Sequence, residues 1–183
     1  MDTLANAMYV TKRNGESEEV SFDKVLQRIK YLSGADTNFT SLQINPSVIT
    51  QKVCSRIYNK VETRELDELA AQICASMVTE HPDYGVLASR IVISNHHKNT
   101  SPSFSETIYI LYHHTDVHGD PSPLVSEELY QIVMKNKHKL NDVIEPMRDY
   151  LLDYFGFKTL ERSYLMRIKG KIIERPQHLW MRV

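Results

Sequence analysis

Apolar positions recur at helical spacing along most of the chain, and two short stretches depart from that pattern. Residues 8–11 are β-prone, Asn14 and Gly15 follow, and residues 18–21 can return as a second strand. Because asparagine and glycine both tolerate a positive φ, this arrangement predicts a β-hairpin near the start of the chain. The alternation of residues 166–173 about a glycine predicts a second short hairpin.

Four helices are predicted after the first hairpin. Ser21 can cap the first helix, which should end at Ser33-Gly34, and Asn45-Pro46 provides a cap and a first helical residue for the second. Thr63 is predicted to cap the third helix, and the fourth should cover residues 84–97. The positions predicted to face the core are Val25, Ile29, Leu32, Val48, Ile49, Val53, Ile57, Leu66, Leu69, Ala70, Ile73, Met77, Leu87, Ala88 and Ile91.

The remaining residues predict a second, mostly helical region. Residues 100–103 are polar and contain a proline, which indicates a boundary, and helices are expected over residues 104–113, after Ser126, over residues 159–165 and from Pro176. The predicted fold is therefore mainly α. It comprises a disordered leader (1–7), a β-hairpin with a four-helix cluster (8–100), and a helical region with a short hairpin (101–183).

The last residues of the sequence predict that it is the N-terminal piece of a larger protein. An opening helix carries Leu179 and Trp180, two large apolar side chains, and no polar cap follows before Val183. The alternative is a natural end with a frayed tail.

Composition narrows the class of protein. Of 183 residues, 42% are hydrophobic and 25% are charged, and the net charge of -1 provides no overall basic field for nucleic acid. Two cysteines cannot form a disulfide framework and lack metal-site spacing, which favours reduced thiols in the cytoplasm. No stretch approaches the roughly 20 apolar residues of a membrane span, so no membrane association is expected.

The chain offers candidate phosphate ligands without a P-loop. Lys12 and Arg13 follow the first predicted strand, and Lys24 and Lys98 lie on the first and fourth predicted helices. Thr63 and Asp67 are one helical turn apart and share a face. Scattered lysines and arginines more often form a solvated surface, so the residues alone leave both interpretations open.

Other polar groups of the chain are candidates for metal binding or catalysis. The histidines at positions 96, 97, 113, 114 and 118 lack cysteines or carboxylates in a compact metal pattern. Glu65 and Glu68 flank Asp67 and could suggest acid–base chemistry, although solvated, helix-stabilising roles fit them better. We therefore expect no metal site and no catalytic residue in this chain.

Several motifs resemble known families. Val-Thr-Lys-Arg-Asn-Gly (10–15), Glu-Glu-Val-Ser-Phe-Asp-Lys (18–24), residues 62–71 and residues 81–98 resemble the ATP-cone. Residues 154–165 and Glu-Arg-Pro-Gln-His (174–178) resemble the large subunit of class I ribonucleoside-diphosphate reductases of eukaryotes and their viruses. The resemblance covers about residues 8–183.

The resemblance implies an allosteric nucleotide site and a role for the longer protein. ATP, with Mg²⁺, would activate and dATP inhibit the reduction of ribonucleotides for DNA synthesis, by changing how large subunits associate. The complete enzyme would also need a radical-generating small subunit, and this piece alone, without the catalytic cysteines, should be inactive. The residues implied in effector binding are Lys12, Arg13, Glu18, Glu19, Val20, Ser21, Phe22, Asp23, Lys24, Thr63, Asp67 and Lys98.

Two alternatives belong to other functional classes. A cone-bearing transcriptional repressor would need a zinc ribbon, which two isolated cysteines cannot build. A non-catalytic regulator or interaction module that has lost nucleotide control remains open, although the cations and Asp67 argue against loss of the ligand site.

Overall fold

The computed structural model describes residues 8–35 and 37–183. The predicted leader, residues 1–7, lies outside the described residues. The chain divides between Asn95 and His96 into two compact units, called here the N-terminal unit (through Asn95) and the C-terminal unit (from His96). The predicted domain limits of 8–100 and 101–183 stay predictions.

The first hairpin is formed by β1 (Tyr9–Thr11) and β2 (Ser17–Glu19), which pair antiparallel. The return strand is therefore residues 17–19 rather than 18–21. Gly15 donates its N–H to the Lys12 carbonyl over 2.9 Å and has a φ of +86°, whereas Asn14 accepts from the Glu16 N–H through its side chain over 3.1 Å. Only the glycine of the Asn-Gly pair has a positive φ, because the turn is longer than the two-residue type in which both central residues need one.

A third strand was not predicted. β3 (Val61–Glu62) pairs parallel to β1, with Val10 opposite Val61, so the sheet order is β2-β1-β3. Lys60 precedes it with a φ of +68° and donates its N–H to the Tyr9 carbonyl over 2.7 Å. A two-residue strand has no detectable alternation, yet it fixes the start of the next helix beside β1.

The four predicted helices of the first region are present. They are α1 (Phe22–Leu32), α2 (Pro46–Cys54), α3 (Thr63–Ser76) and α4 (Asp83–Asn99), and the unit boundary lies within α4. Ser21 caps α1 by accepting from the Lys24 N–H over 3.4 Å, and Asn45 caps α2 by accepting from the Ser47 N–H over 3.0 Å. Both predicted caps are confirmed.

The predicted cap of α3 is wrong. Thr63 is the first helical residue, and Glu62 occupies the cap position at the end of β3. The Glu65 carboxylate accepts from the Glu62 N–H over 3.4 Å and from the Tyr58 hydroxyl over 2.8 Å. Because Glu62 already pairs with β1, the strand sets where the helix begins.

Most of the predicted core positions are buried. Val48 is an exception at 36% exposed, and Val25, Leu66 and Leu69 are half-buried. The fully buried side chains predicted from periodicity include Ile29, Leu32, Ile49, Val53, Leu87, Ala88 and Ile91.

The segment between α1 and α2 folds back onto α4. Arg90 donates to the Leu32 carbonyl and to the Thr40 carbonyl, each over 3.0 Å, and its guanidinium lies 4.7 Å from the Phe39 ring centroid. Gly34 allows the chain to reverse there with a φ of +96°.

The C-terminal unit is mostly helical. Its elements are α5 (Phe104–Tyr112), α6 (Glu127–Lys135), α7 (Lys137–Asp142), a 3-10 helix (Pro146–Leu151), α8 (Tyr154–Ser163), β4 (Arg167–Ile168), β5 (Lys171–Ile172) and α9 (Pro176–Arg182). The hairpin predicted about Gly170 is confirmed. α8 begins earlier than predicted because Asp153 caps it, accepting from the Gly156 N–H over 2.6 Å. The predicted fold class, mainly α with two short hairpins, is confirmed.

Phe104, Ile108, Leu111 and Val133 form an apolar core between α5 and α6. Of the two apolar residues singled out near the end, Leu179 is buried and Trp180 is 56% exposed. No helix within residues 8–35 and 37–183 is both long and apolar enough to cross a bilayer.

We expect Gly34→Ala to lower the free energy of unfolding by more than about 2 kcal/mol. A left-handed conformation costs an L-residue about 1–2 kcal/mol, and an added Cβ would lie 2.6 Å from the Thr40 carbonyl oxygen. Gly15→Ala is the matched control, since Gly15 has a similar φ of +86° and nothing within 4 Å of an added Cβ. Equal losses for both variants in urea unfolding would contradict the role of the close contact.

Candidate functional site

The Asp67 carboxylate, on α3, lies between two arginines. Arg28, on α1, donates from Nε to Oδ1 over 3.3 Å and from Nη2 to Oδ2 over 3.2 Å. Arg13, in the hairpin turn, donates from Nη2 to Oδ2 over 3.3 Å. The Asp67 side chain is only 12% exposed, so the two guanidinium groups replace most of the water that would otherwise solvate it.

Asn95, on α4, completes this arrangement. Its Oδ1 accepts from Arg13 Nη2 over 2.5 Å, and its Nδ2 donates to the Arg64 carbonyl over 3.2 Å. Side chains from the hairpin turn, α1, α3 and α4 thus meet around one carboxylate.

A second carboxylate, Glu18 on β2, pairs with two lysines. Lys12 and Lys24 each form an ion pair with one of its oxygens. The lysine side chains are 41% and 67% exposed, whereas Glu18 is 22% exposed. Both ammonium groups are therefore close together and accessible to an anion in solution.

The two clusters together have an excess of positive charge. Four cations (Lys12, Arg13, Lys24 and Arg28) accompany two carboxylates (Glu18 and Asp67), which gives a net charge of 4 − 2 = +2. α3 begins at Thr63, directly after the strand that pairs with β1, so its positive N-terminal end lies beside this charge. The arrangement suits a polyanion with hydroxyl groups, and Thr63 and Asp67 present one hydroxyl and one carboxylate on the same helix.

The other predicted contacts follow the chain from β2 into α1. Glu19 and Asp23 are exposed, while Val20 and Ser21 are half-buried. Val20 donates its N–H to the Met8 carbonyl over 2.8 Å, which extends the hairpin. The Phe22 ring, at the start of α1, is 45% exposed and offers an apolar surface.

Lys98 lies in the last turn of α4, three positions after Asn95. Its assignment to the nucleotide site stays a prediction from the resemblance.

Two residues of the cluster were missed in the sequence. Arg28 is four positions after Lys24, and therefore on the same face of α1, which was the available signal. Asn95 gave no such signal, since an asparagine within a helix has no diagnostic spacing. Glu65, expected to be solvated and helix-stabilising, is exposed and accepts from the Glu62 N–H at the start of α3; its contact with the Tyr58 hydroxyl was not predicted.

His96 and His97 serve as internal hydrogen-bonding groups, whereas His113 and His118 are exposed. His96 donates from Nε2 to the Glu174 carbonyl over 2.9 Å, and His97 Nε2 lies 2.7 Å from Asp149 Oδ2. Burial lowers the pKa of His96 to about 4. Within residues 8–35 and 37–183, no three His, Cys, Asp or Glu side chains are grouped so that they could hold a metal ion.

His178 is fully buried in α9. Its Nδ1 accepts from the Arg175 N–H over 3.3 Å, which requires the neutral ring. Burial lowers the pKa of His178 to about 4.

Both cysteines are structural. Cys74 is fully buried in α3, and burial raises the pKa of its thiol to about 12. Cys54 ends α2, and burial raises its thiol pKa as well. Neither thiol is set up to react as a thiolate.

Comparisons with known proteins agree with the resemblance noted in the sequence. Residues 8–99 match the ATP cone domain, and residues 150–183 match the all-alpha domain of ribonucleotide reductase. The chain is 52% identical over 177 residues to the ribonucleoside-diphosphate reductase large subunit of Dictyostelium discoideum, which covers 96% of this chain and 20% of that protein.

Other relatives give similar values. Identity is 51% over 176 residues with the large subunit of Plasmodium falciparum (isolate Dd2), covering 96% of this chain and 21% of that protein. It is 51% over 178 residues with that of Monkeypox virus, covering 96% and 23%. The chain therefore spans about a fifth of the length of these relatives.

The buried histidines predict that the C-terminal unit loses stability in acid. Each has a folded pKa of about 4 against 6.5 in the unfolded chain, so below pH 6.5 the unfolded state binds protons that the folded state does not. The contribution of each histidine to the free energy of unfolding is fully present above about pH 6.5. It falls as the pH is lowered towards 4, by on the order of 3 kcal/mol for each histidine. Urea unfolding at pH 7 and pH 4.5 measures the loss.

The control for this prediction is a variant that cannot titrate. His96→Gln keeps a side-chain donor for the Glu174 carbonyl and should unfold with a shallower dependence on pH, as should His178→Gln. If both variants kept the wild-type pH dependence, carboxylates rather than these histidines would cause the acid sensitivity.

Proposed function

The chain belongs to the ATP-cone family, and from that premise we propose that residues 8–99 bind a nucleoside triphosphate as a regulatory effector. The effectors are ATP and dATP, each with Mg²⁺ on its phosphates. The observation that supports this most directly is the convergence of four cations on two carboxylates at the surface formed by the hairpin, α1 and α3.

The phosphates would bind the exposed cations. Lys12 and Lys24 are paired with Glu18, and Arg13 with Asp67, so an arriving triphosphate offers these cations a more highly charged partner. Arg13 can present its planar group to two phosphate oxygens, while the lysines act as point charges. Lys98, at the end of α4, is the remaining predicted phosphate contact.

The base and sugar would lie towards β2 and α3. Residues 18–24 supply backbone groups and the half-exposed Phe22 ring for the base. Thr63 and Asp67 supply polar groups for the sugar, and the Asp67 carboxylate would accept the 2′-hydroxyl of ATP, which dATP lacks.

We also propose the setting in which this effector acts. The longer protein would be a ribonucleoside-diphosphate reductase large subunit in the cytoplasm, working with a radical-generating small subunit and associating with other large subunits according to the effector. ATP would permit reduction and dATP would prevent it. We assign no catalytic role to Cys54 or Cys74, because burial disfavours both thiolates.

Calorimetry on the 183-residue chain tests the binding site. We expect ATP and dATP to bind, and Arg13→Gln and Lys12→Gln to weaken both by about tenfold each, since a hydrogen bond to a charged group contributes about 1.5–3 kcal/mol. Arg56→Gln, at an exposed position just after α2, is the control and should bind as the wild type does. No heat of binding at millimolar nucleotide would contradict the proposal.

Asp67→Asn tests the sugar contact separately. The ratio of the dissociation constants for ATP and dATP should move towards one by about tenfold, because an amide accepts a hydroxyl hydrogen bond less strongly than a carboxylate does. The ratio is the informative quantity, since removal of a negative charge favours phosphate binding for both nucleotides alike. A variant with the wild-type ratio would remove Asp67 from the sugar site.

A further inference from the structure

We propose that Arg28 is the positioning residue for effector choice: it holds the Asp67 carboxylate in the orientation that accepts the 2′-hydroxyl of ATP. The inference rests on the proposed function of Asp67. Its basis is the two-point contact, Nε to Oδ1 over 3.3 Å and Nη2 to Oδ2 over 3.2 Å. Such a fork fixes the plane of the carboxylate as well as its position.

An aspartate needs this restraint if it is to discriminate between sugars. The terminal torsion of an aspartate side chain is broad, so an unrestrained carboxylate rotates with little cost. A rotating acceptor binds water or a hydroxyl in several directions, and its preference for one hydroxyl position weakens. Arg28 therefore fixes the direction in which the Asp67 carboxylate can accept a hydrogen bond.

The two arginines on Asp67 have different surroundings. Arg13 lies in the exposed hairpin turn, its side chain is 30% exposed, and its Nη2 is shared between Asp67 and Asn95. Arg28 lies inside the regular helix α1, its side chain is 21% exposed, and its Nε and Nη2 both donate to the Asp67 carboxylate. A triphosphate that draws Arg13 to its oxygens would leave Arg28 in place on Asp67.

This difference predicts separate effects in binding experiments. Loss of Arg13 should weaken ATP and dATP together, because both have the same phosphates. Loss of Arg28 should change the ratio of their dissociation constants, because the orientation of the Asp67 carboxylate is then no longer fixed. Arg28 touches neither nucleotide in this proposal and acts through Asp67.

The experiment is calorimetry with ATP and dATP on the full 183-residue chain carrying Arg28→Gln or Arg28→Lys. We expect the ATP-to-dATP ratio to move towards one by about threefold or more in Arg28→Gln. Arg28→Lys keeps the positive charge but cannot make the two-point contact, so its ratio of dissociation constants should lie between those of the wild type and Arg28→Gln. Lys30→Gln, an exposed position two residues along α1, is the matched control and should keep the wild-type ratio.

A double-mutant cycle separates positioning from a general effect on the fold. If Arg28 acts through Asp67, Arg28→Gln should change the ratio in the wild-type background and leave it unchanged in the Asp67→Asn background. A purely structural role would lower the melting temperature without this dependence on Asp67. Thermal unfolding of every variant identifies any that fail to fold, in which case Arg28→Lys carries the test.

The outcomes distinguish the two proposals. If the wild-type chain binds neither nucleotide, the proposed function fails and the role of Arg28 fails with it. If the wild type discriminates between ATP and dATP and Arg28→Gln discriminates equally, the role of Arg28 alone is overturned. A full wild-type ratio in Arg28→Lys would overturn the two-point geometry, because a single ammonium group would then suffice.

Discussion

The ion pair network at Asp67 is the constraint on which the candidate site depends. A carboxylate that is 12% exposed has lost most of its hydration, and Arg28 and Arg13 replace it with three hydrogen bonds. Ion pairs of this kind contribute little net stability compared with apolar packing, although breaking a buried one costs about 3–5 kcal/mol. Their consequence is geometric: the hairpin turn, α1 and α3 are held in one arrangement around a single charge.

The Asp67 network and the separate Glu18 ion pairs together explain how four cations can lie close together. Glu18 offsets Lys12 and Lys24, and Asp67 offsets the two arginines, so internal carboxylates occupy contacts that phosphate groups can take over. In the proposed binding reaction, phosphate groups would replace these carboxylates, and the difference between the two sets of contacts would drive binding. Affinity at such a site depends on how strongly the internal carboxylates compete as well as on the contacts to phosphate.

The elements that local signals determine could be predicted from the sequence. Ser21 and Asn45 cap their helices as expected, and periodicity identified most of the buried positions. β3 could not be predicted, because its partner is far away in sequence, as the bond from the Tyr9 N–H to the Asn59 side chain over 50 positions illustrates. Since β3 takes up Glu62, the missed strand also explains the wrong cap for α3.

The residues of the candidate site, like the secondary structure, could be predicted only in part. Lys12, Arg13, Lys24 and Asp67 were named because they match a motif, while charge alone favoured a solvated surface. Arg28 was missed because its role depends on a carboxylate 39 positions away, and its spacing from Lys24 shows only that the two share a face of α1. His96 and His97 form internal hydrogen bonds, and burial lowers the pKa values of His96 and His178 to about 4. Nucleotide binding in residues 8–99 would depend on charged groups near the surface, whereas the acid sensitivity predicted for the C-terminal unit depends on the buried rings of His96 and His178. Changes in stability on adding nucleotide above pH 6.5 therefore report on the charged site, because both rings are neutral in the folded state and largely so in the unfolded chain.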